Sequence, residues 1–386
     1  MVKDKAPVVV YGGSFDPPHR GHSLLAEAAL RQLEPRALYF VPNYRTPFKD
    51  LRPVPYRSRA EMLKLALRAS GLAGRPEIKI SSWEADLRRS VYTWETLEHF
   101  SRLHPGAPLY FLMGSDCLAG FPRWRRPGRI LRLARLLVGP RPGFAAPRAG
   151  AVPYTPLAGR FPEAASSGLR VKLFLGARPA EMEPGVLDFI EREGLYLAAE
   201  RRALRAALSP GRYAHCLAVA RLAAELAPGL GLPAQAGAVA GLLHDCAREL
   251  PHARQLELAR AGATPGARLA ETDRRAPVLL HAWAGAALAG TRYGAGDPTV
   301  LEAAALHATG APGMGPLARL AYVCDLAGED RAFPEAAVVR RLARRDFAAA
   351  FRAANYVKLS YALRKGGWVH PLSVELWNSL LTEKKS

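Results

Sequence analysis

Two groups of residues in this chain have the types and spacing to do chemistry, and both belong to phosphate chemistry. The first is GGSFDPPHRGH (12–22), where Gly12, Gly13, Ser14, Phe15 and Asp16 run ahead of His19 and His22, three residues apart. A glycine pair lets the backbone approach a phosphate closely. Asp16, Pro17 and Pro18 fix a turn. A helix starting at the histidines would add unpaired N–H groups and a dipole that favour an anion. Two imidazoles there can donate to phosphoryl oxygens as charge moves onto them during displacement.

The second group falls after residue 210. RYAHCLAVARLAAELA (212–227) carries His215, AGLLHDCARELP (240–251) the pair His244–Asp245, LLHAWAG (279–285) His281, ALHATGAPGM (305–314) His307, and YVCDLAGEDR (322–331) Asp325. A single histidine of this kind reads as a hydrogen-bonded core residue. The ordered set reads as a metal centre, because four imidazoles and two carboxylates suit one or two divalent ions of the iron, manganese or nickel type. Such ions lower the pKa of bound water and bridge phosphoryl oxygens. Cys216, Cys246 and Cys324 each adjoin one of these residues. A sequence neighbour on a helix points ~100° away from the ligand face, so they are expected as small buried residues and not as sulfur ligands.

The elements that must position these residues change type along the chain. PVVVYG (7–12), ALYFVP (37–42), PEIKIS (76–81), APLYFLMG (107–114) and RLLVG (135–139) read as strands. Helical periodicity lies between them, as in HSLLAEAALRQL (22–33), RSRAEMLKLALRA (57–69) and YTWETLEHFSRL (92–103). This alternation predicts an α/β, Rossmann-like parallel sheet with helices on both faces and its ligand at the carboxyl ends of the strands. The Pro/Gly-rich stretch 139–162 reads as a long loop, and VLDFIEREGLY (186–196) as a closing helix stopped by Gly194. Beyond about residue 200 the pattern is all-α. The expected division is therefore an α/β domain over 1–198 and an all-α domain over 199–386.

A net charge of +20 raises nucleic acid as a partner. Residues 1–200 carry 30 basic and 19 acidic side chains and the remainder 24 and 15, so the excess forms no block. Arginine outnumbers lysine 44 to 10, and arginine suits phosphate recognition. Small anionic nucleotides are the expected partners, without nucleic acid as the main ligand. No apolar run approaches the ~20 residues that span a bilayer, and the first residues do not read as a signal peptide. The expectation is a cytoplasmic protein without membrane contact, of unassigned oligomeric state.

The first motif resembles the signature of the HxGH nucleotidyltransferase superfamily, and within it the chain is most similar to bacterial nicotinate-mononucleotide adenylyltransferases. FVPNYRTPFK (40–49), RAEML (59–63), VYTWETL (91–97) and FLMGSDCLAGFPRW (111–124) follow that family's order. The resemblance implies transfer of AMP from ATP, taken with Mg²⁺, to nicotinate mononucleotide, without a covalent enzyme intermediate. It places Lys49 in a basic loop position, Gly114 and Asp116 at the adenylate ribose, and Thr93 and Trp124 in the nicotinate pocket. AASSGLR (164–170) stands where the family has ISSTxIR; it keeps Ser166, Ser167 and Arg170 for the triphosphate but has Ala165 in place of the first serine. A pantetheine-phosphate adenylyltransferase is the runner-up.

The second set resembles the HD phosphohydrolase superfamily, and its flanks from Tyr213 to Asn378 are similar to YqeK-type hydrolases, which cleave diadenosine tetraphosphate into two ADP. The resemblance makes His215, His244, Asp245, His281, His307 and Asp325 ligands of an iron or manganese centre and sets Arg248 and Arg331 on substrate phosphate. Asp245 is also expected to be catalytic. Leu326 departs from the lysine usual after the final aspartate, which leaves the polyphosphate open. Hydrolysis of another nucleotide, or a nucleotide-sensing module, are the alternatives.

Overall fold

The protein is described here from a computed structural model, which covers residues 6–44, 54–140 and 152–382. The strands are β1 (Val8–Gly13), β2 (Ala37–Pro42), β3 (Ile78–Ile80), β4 (Leu109–Gly114), β5 (Arg135–Gly139) and β6 (Thr155–Pro156). They form one sheet in the order β3-β2-β1-β4-β5-β6, with every pairing parallel. Strand alternation sorts the core: Val8 and Val10 pack on one face with Val41, Phe100 and Phe111, while Val9 and Tyr11 face Phe40, Leu63 and Leu112 on the other. Both faces are buried, as a parallel sheet requires. The chain reverses its direction of travel between β1 and β4, so the crevice beyond Gly12–Gly13 and Gly114 is where ligands bind in such sheets.

One local expectation is corrected. The stretch 139–162 is not loop throughout, because Thr155–Pro156 adds an edge strand to β5; two residues, one of them proline, carry no period to read. Ser166–Phe174, which runs from AASSGLR into RVKLFLG, is helical. The closing helix is Pro184–Glu193, and Gly194 ends it in the left-handed region at φ 70°.

Residue contacts divide the chain into one unit of Met1–Leu173 with Arg178–Tyr196 and a second of Phe174–Ala177 with Leu197–Ser386. Among the described residues the second unit has helices and no strand. Its central contact joins Pro210–Leu226 to Ala234–Leu243, made possible by Gly237 and Gly241, where a Cβ would run into the backbone of Ala223 and Ala220. Cys216, Cys246 and Cys324 are fully or almost fully buried. Among the described residues no helix is long and apolar enough to cross a membrane.

Candidate active sites

In the first unit the motif becomes a turn held from behind. Phe15 is buried at φ 48° with its ring edge-on to Tyr11 and His22, a backbone conformation that costs energy in a residue with a side chain. The fully buried Asp16 accepts the Tyr196 hydroxyl at 2.5 Å. Burial first, and then Asp16, push that phenol well above its usual pKa, so it stays a donor. Arg170 Nη1 donates to the Asp16 carbonyl and Ser166 Oγ to that of Pro17. Ser167 lies beside them, exposed. The helix Arg20–Leu33 then begins at once. The His19 and His22 rings are in contact, centroids 3.8 Å apart and tilted by 38°. The His19 N–H donates to His22 Nδ1 at 3.1 Å, which leaves His22 Nε2–H as that ring's outward donor.

Arg59, which carries no distinguishing period, organises the neighbouring loops. It is 2% exposed, and its guanidinium donates to the carbonyls of Val54, Ser14, Asn43 and Tyr44 and to Asn43 Oδ1. One buried cation thus ties the loop after β1 to the loop after β2. Gly114 ends β4, and a Cβ there would strike the Asp116 carboxylate. Thr93 opens the helix Thr93–Leu103. Trp124 is half-buried, edge-on to Phe111 and tilted on Phe121. Lys49 lies outside the described residues. His99 and His104 are half-buried: His99 stacks on Trp83 at 4.4 Å and His104 bonds the Tyr39 hydroxyl at 3.0 Å. His252 is exposed and pairs with Asp273.

In the second unit the six expected ligands come together from five helices or their ends. His215 lies within Pro210–Leu226, His244 and His307 cap Ala234–Leu243 and Pro298–Leu306, His281 opens Leu280–Thr291, and Asp325 closes Pro316–Ala327. All four imidazoles turn Nε2 to a common centre, and each Nδ1 faces an acceptor group, although Arg248 Nη1 also stands 2.8 Å from the His281 Nδ1. The acceptors are the carbonyls of Gly241, Val278 and Ala304 for His244, His281 and His307, and the Asp330 carboxylate for His215. Asp245 Oδ1 lies 3.1 Å from His281 Nε2 and 3.5 Å from His307 Nε2. Asp325 Oδ1 lies 3.2 Å from His215 Nε2 and 3.8 Å from His244 Nε2.

These residues fit a divalent metal. Two triads have the spacing of ligand sets, His215–His244–Asp245 and Asp245–His281–His307, and they share Asp245. His244 Nε2 and Asp245 Oδ1 are buried without a hydrogen-bond partner, an expensive arrangement unless a cation meets them. Burial pushes His244 down to about 3, so the ring is the neutral form that metals take. Burial would raise Asp325, but Lys358 Nζ, 3.0 Å from Oδ2, and the facing histidines outweigh it and hold the carboxyl well below its usual range.

Four cations surround the centre, two of them absent from the sequence reading. Arg212 Nη1 donates to Asp245 Oδ2 at 2.7 Å, Arg248 lies against His281, Arg331 Nη2 donates to Asp325 Oδ1 at 2.9 Å, and Lys358 bonds Asp325 and the His307 carbonyl. Arg331 is therefore part of the site and not a stray surface arginine. Arg212 could have been found, since it lies one helical turn before His215 on the same face. Lys358 and Asp330 left no such signal. Asp245, His281, His307, Asp325 and all four cations border a cavity of about 910 Å³, which Phe333, Tyr361 and Trp368 also line.

Two family models match the chain. Residues 10–177 match the cytidylyltransferase-like family and residues 212–341 the HD domain. A Mycoplasma pneumoniae protein named probable nicotinate-nucleotide adenylyltransferase/Ap4A hydrolase is 28% identical over 319 residues, 82% of this chain and 87% of that protein. Its Mycoplasma genitalium namesake is 28% identical over 325 residues, 83% and 87% of the two chains. A probable nicotinate-nucleotide adenylyltransferase of Geobacillus kaustophilus is 33% identical over 211 residues, 51% of this chain and 94% of that protein. The chain belongs to the nicotinate-nucleotide adenylyltransferase family, in a form whose cytidylyltransferase-like domain is followed by an HD domain.

Proposed function

We propose that the protein is a bifunctional enzyme, with adenylyl transfer to nicotinate mononucleotide over residues 1–198 and symmetrical hydrolysis of diadenosine tetraphosphate over 199–386. In the first reaction a phosphate oxygen of the mononucleotide attacks the α-phosphorus of ATP, taken as its Mg²⁺ complex, and the bond to pyrophosphate breaks. Catalysis is then positioning and charge stabilisation. Gly12–Gly13 admits the phosphates, His22 Nε2–H donates to oxygens that gain charge, and Ser166, Ser167, Arg170 and Lys49 take the triphosphate. Asp116 orients the ribose, and Thr93 and Trp124 receive the nicotinate ring.

In the second reaction water adds to a phosphorus at the middle of the tetraphosphate, the central bridging bond breaks, and each half leaves as ADP. The six ligands would hold one or two ions, iron or manganese by the chemistry of the donor set. A metal there supplies Lewis acidity and an activated water. Arg212, Arg248, Arg331 and Lys358 orient the phosphates, and the aromatic residues of the cavity suit nucleobases.

The observation that carries the hydrolase reading is this ring of cations. Arg212, Arg248, Arg331 and Lys358 outnumber the carboxylates Asp245, Asp325 and Asp330 before any metal binds. That surplus suits a long, highly charged polyphosphate better than a monophosphate. The complete donor set favours catalysis over a silent sensing module.

The test is product analysis on full-length protein, with ATP plus nicotinate mononucleotide and then with diadenosine tetraphosphate. His22→Ala should lose ~10²–10³ in transfer and keep hydrolysis, while Asp245→Ala should abolish hydrolysis and keep transfer. Unchanged dinucleotide formation in His22→Ala sinks the transferase assignment. Products other than ADP sink the hydrolase one.

A further inference from the structure

Three of the four imidazoles at the metal centre are oriented by carbonyls three residues earlier in their own chain segment. Any histidine near a helix end can find such a carbonyl, so those three orientations come with the secondary structure. His215 differs. It lies within its helix, where the carbonyls behind it are engaged in helical bonds, and its Nδ1 meets Asp330 Oδ2 at 2.7 Å, 115 residues away. Asp330 sits in the short segment after Pro316–Ala327, immediately before Arg331.

That segment is built to bring the carboxylate in. Gly328 has no side chain, and a Cβ there would stand 2.5 Å from Asp330 Oδ1. Arg340 Nη1 pins the segment from the next helix, donating to the carbonyls of Ala327 at 3.0 Å and Gly328 at 2.7 Å. Arg331 closes it from the other side, with Nε on the Asp325 carbonyl at 3.1 Å and Nη2 on Asp325 Oδ1 at 2.9 Å. Two residues of this segment thus contact ligands of the centre, Asp330 on His215 and Arg331 on Asp325.

We infer that Asp330 is a positioning residue for the metal centre: it fixes the Nδ1–H tautomer of His215, keeps Nε2 turned to the ion, and Gly328 leaves the space that lets it do so. A carboxylate behind a ligating imidazole also strengthens the ring as a donor, and loss of such a partner weakens metal binding by ~10- to 100-fold. The loss falls on the His215–His244–Asp245 triad, not on the Asp245–His281–His307 triad. The residue touches no substrate in this account. It acts through His215.

The inference rests on the cluster being a metal centre, and the test separates the two. Mn²⁺ binding to full-length protein is measured by titration calorimetry on wild type, Asp330→Ala, Asp330→Asn and Gly328→Ala. Wild type should bind Mn²⁺, and Asp330→Ala should bind it ~10- to 100-fold more weakly. Asp330→Asn keeps an oxygen to accept from Nδ1 and should recover most of the loss. Gly328→Ala, which leaves every ligand and Asp330 itself in place, should reproduce the weakening by pushing the carboxylate off His215. Adenylyl transfer should stay at the wild-type level in all three. If wild type binds no Mn²⁺, the metal reading falls. If wild type binds it and both Asp330→Ala and Gly328→Ala bind it equally well, Asp330 is not the positioning residue. Should Asp330→Ala not fold, the Gly328→Ala and Asp330→Asn affinities decide alone.

Discussion

Single residues in this protein are tuned by what surrounds them more than by their type. Glu84 is buried, and the Thr96 hydroxyl donates to its Oε1 at 2.6 Å. Burial raises its carboxyl from 4.5 to about 7, against the lowering effect of Thr96 and, more weakly, Arg59. The folded state therefore holds the proton more tightly than the unfolded chain does. Stability contributed by Glu84 is full below about 4.5, falls as pH rises through about 7, and is level above that. Glu84→Gln, which resembles the protonated form, should remove this decline. Relative to wild type it should gain about 2–3 kcal/mol between pH 5 and pH 8. Denaturant unfolding at both pH values checks this; an equal offset at the two would exclude it.

At the scale of elements, the sheet's carboxyl edge is held in shape by a residue outside it. Arg59 ties four carbonyls from the segments at Ser14, Asn43, Tyr44 and Val54 to the helix Tyr56–Ala69. Removing the guanidinium leaves those acceptors buried and unmet, at ~1–3 kcal/mol each where no water reaches them. Arg59→Met should lower the stability of the first unit by at least about 3 kcal/mol and raise KM for ATP, with hydrolysis of diadenosine tetraphosphate unchanged. Arg59→Lys should restore little, because an ammonium cannot reproduce the planar fork. Unfolding curves and steady-state kinetics together check this, and a stable Arg59→Met with wild-type KM would refute it. The helix at Ser166 belongs to the same scale: its amphipathic signal is faint, and only the anchoring of Ser166 and Arg170 on Pro17 and Asp16 makes its role plain.

Over the whole molecule, the two chemistries ask different things of a metal. On the proposed reading the transferase takes Mg²⁺ as part of its substrate, whereas the hydrolase centre offers candidate ligands that are mostly imidazole. Stripping the protein with a strong chelator should abolish both activities. Adding Mg²⁺ alone should return adenylyl transfer, and hydrolysis should return fully with Fe²⁺ or Mn²⁺ but not with Mg²⁺, since a mixed set of four imidazoles and two carboxylates suits transition-metal ions better than the hard, oxygen-preferring Mg²⁺. Assays of both reactions after each addition check this. Full recovery of hydrolysis with Mg²⁺ would overturn the donor-set argument.

What was legible in the sequence was whatever repeats or clusters locally. Alternating strand and helix periods specify a doubly wound sheet, GGSFDPPHRGH carries its turn and both histidines within eleven consecutive positions, and the six candidate metal ligands stand out by residue type and order. Contacts between distant segments have no period, so they were decided only by the tertiary structure. Arg59 joins two loops, Lys358 meets Asp325 across 33 residues, and Asp330 reaches His215 across 115. A lone arginine, lysine or aspartate in a sequence is ordinarily a solvated surface residue. It acquires a task when folding removes water from around it and leaves one partner within reach.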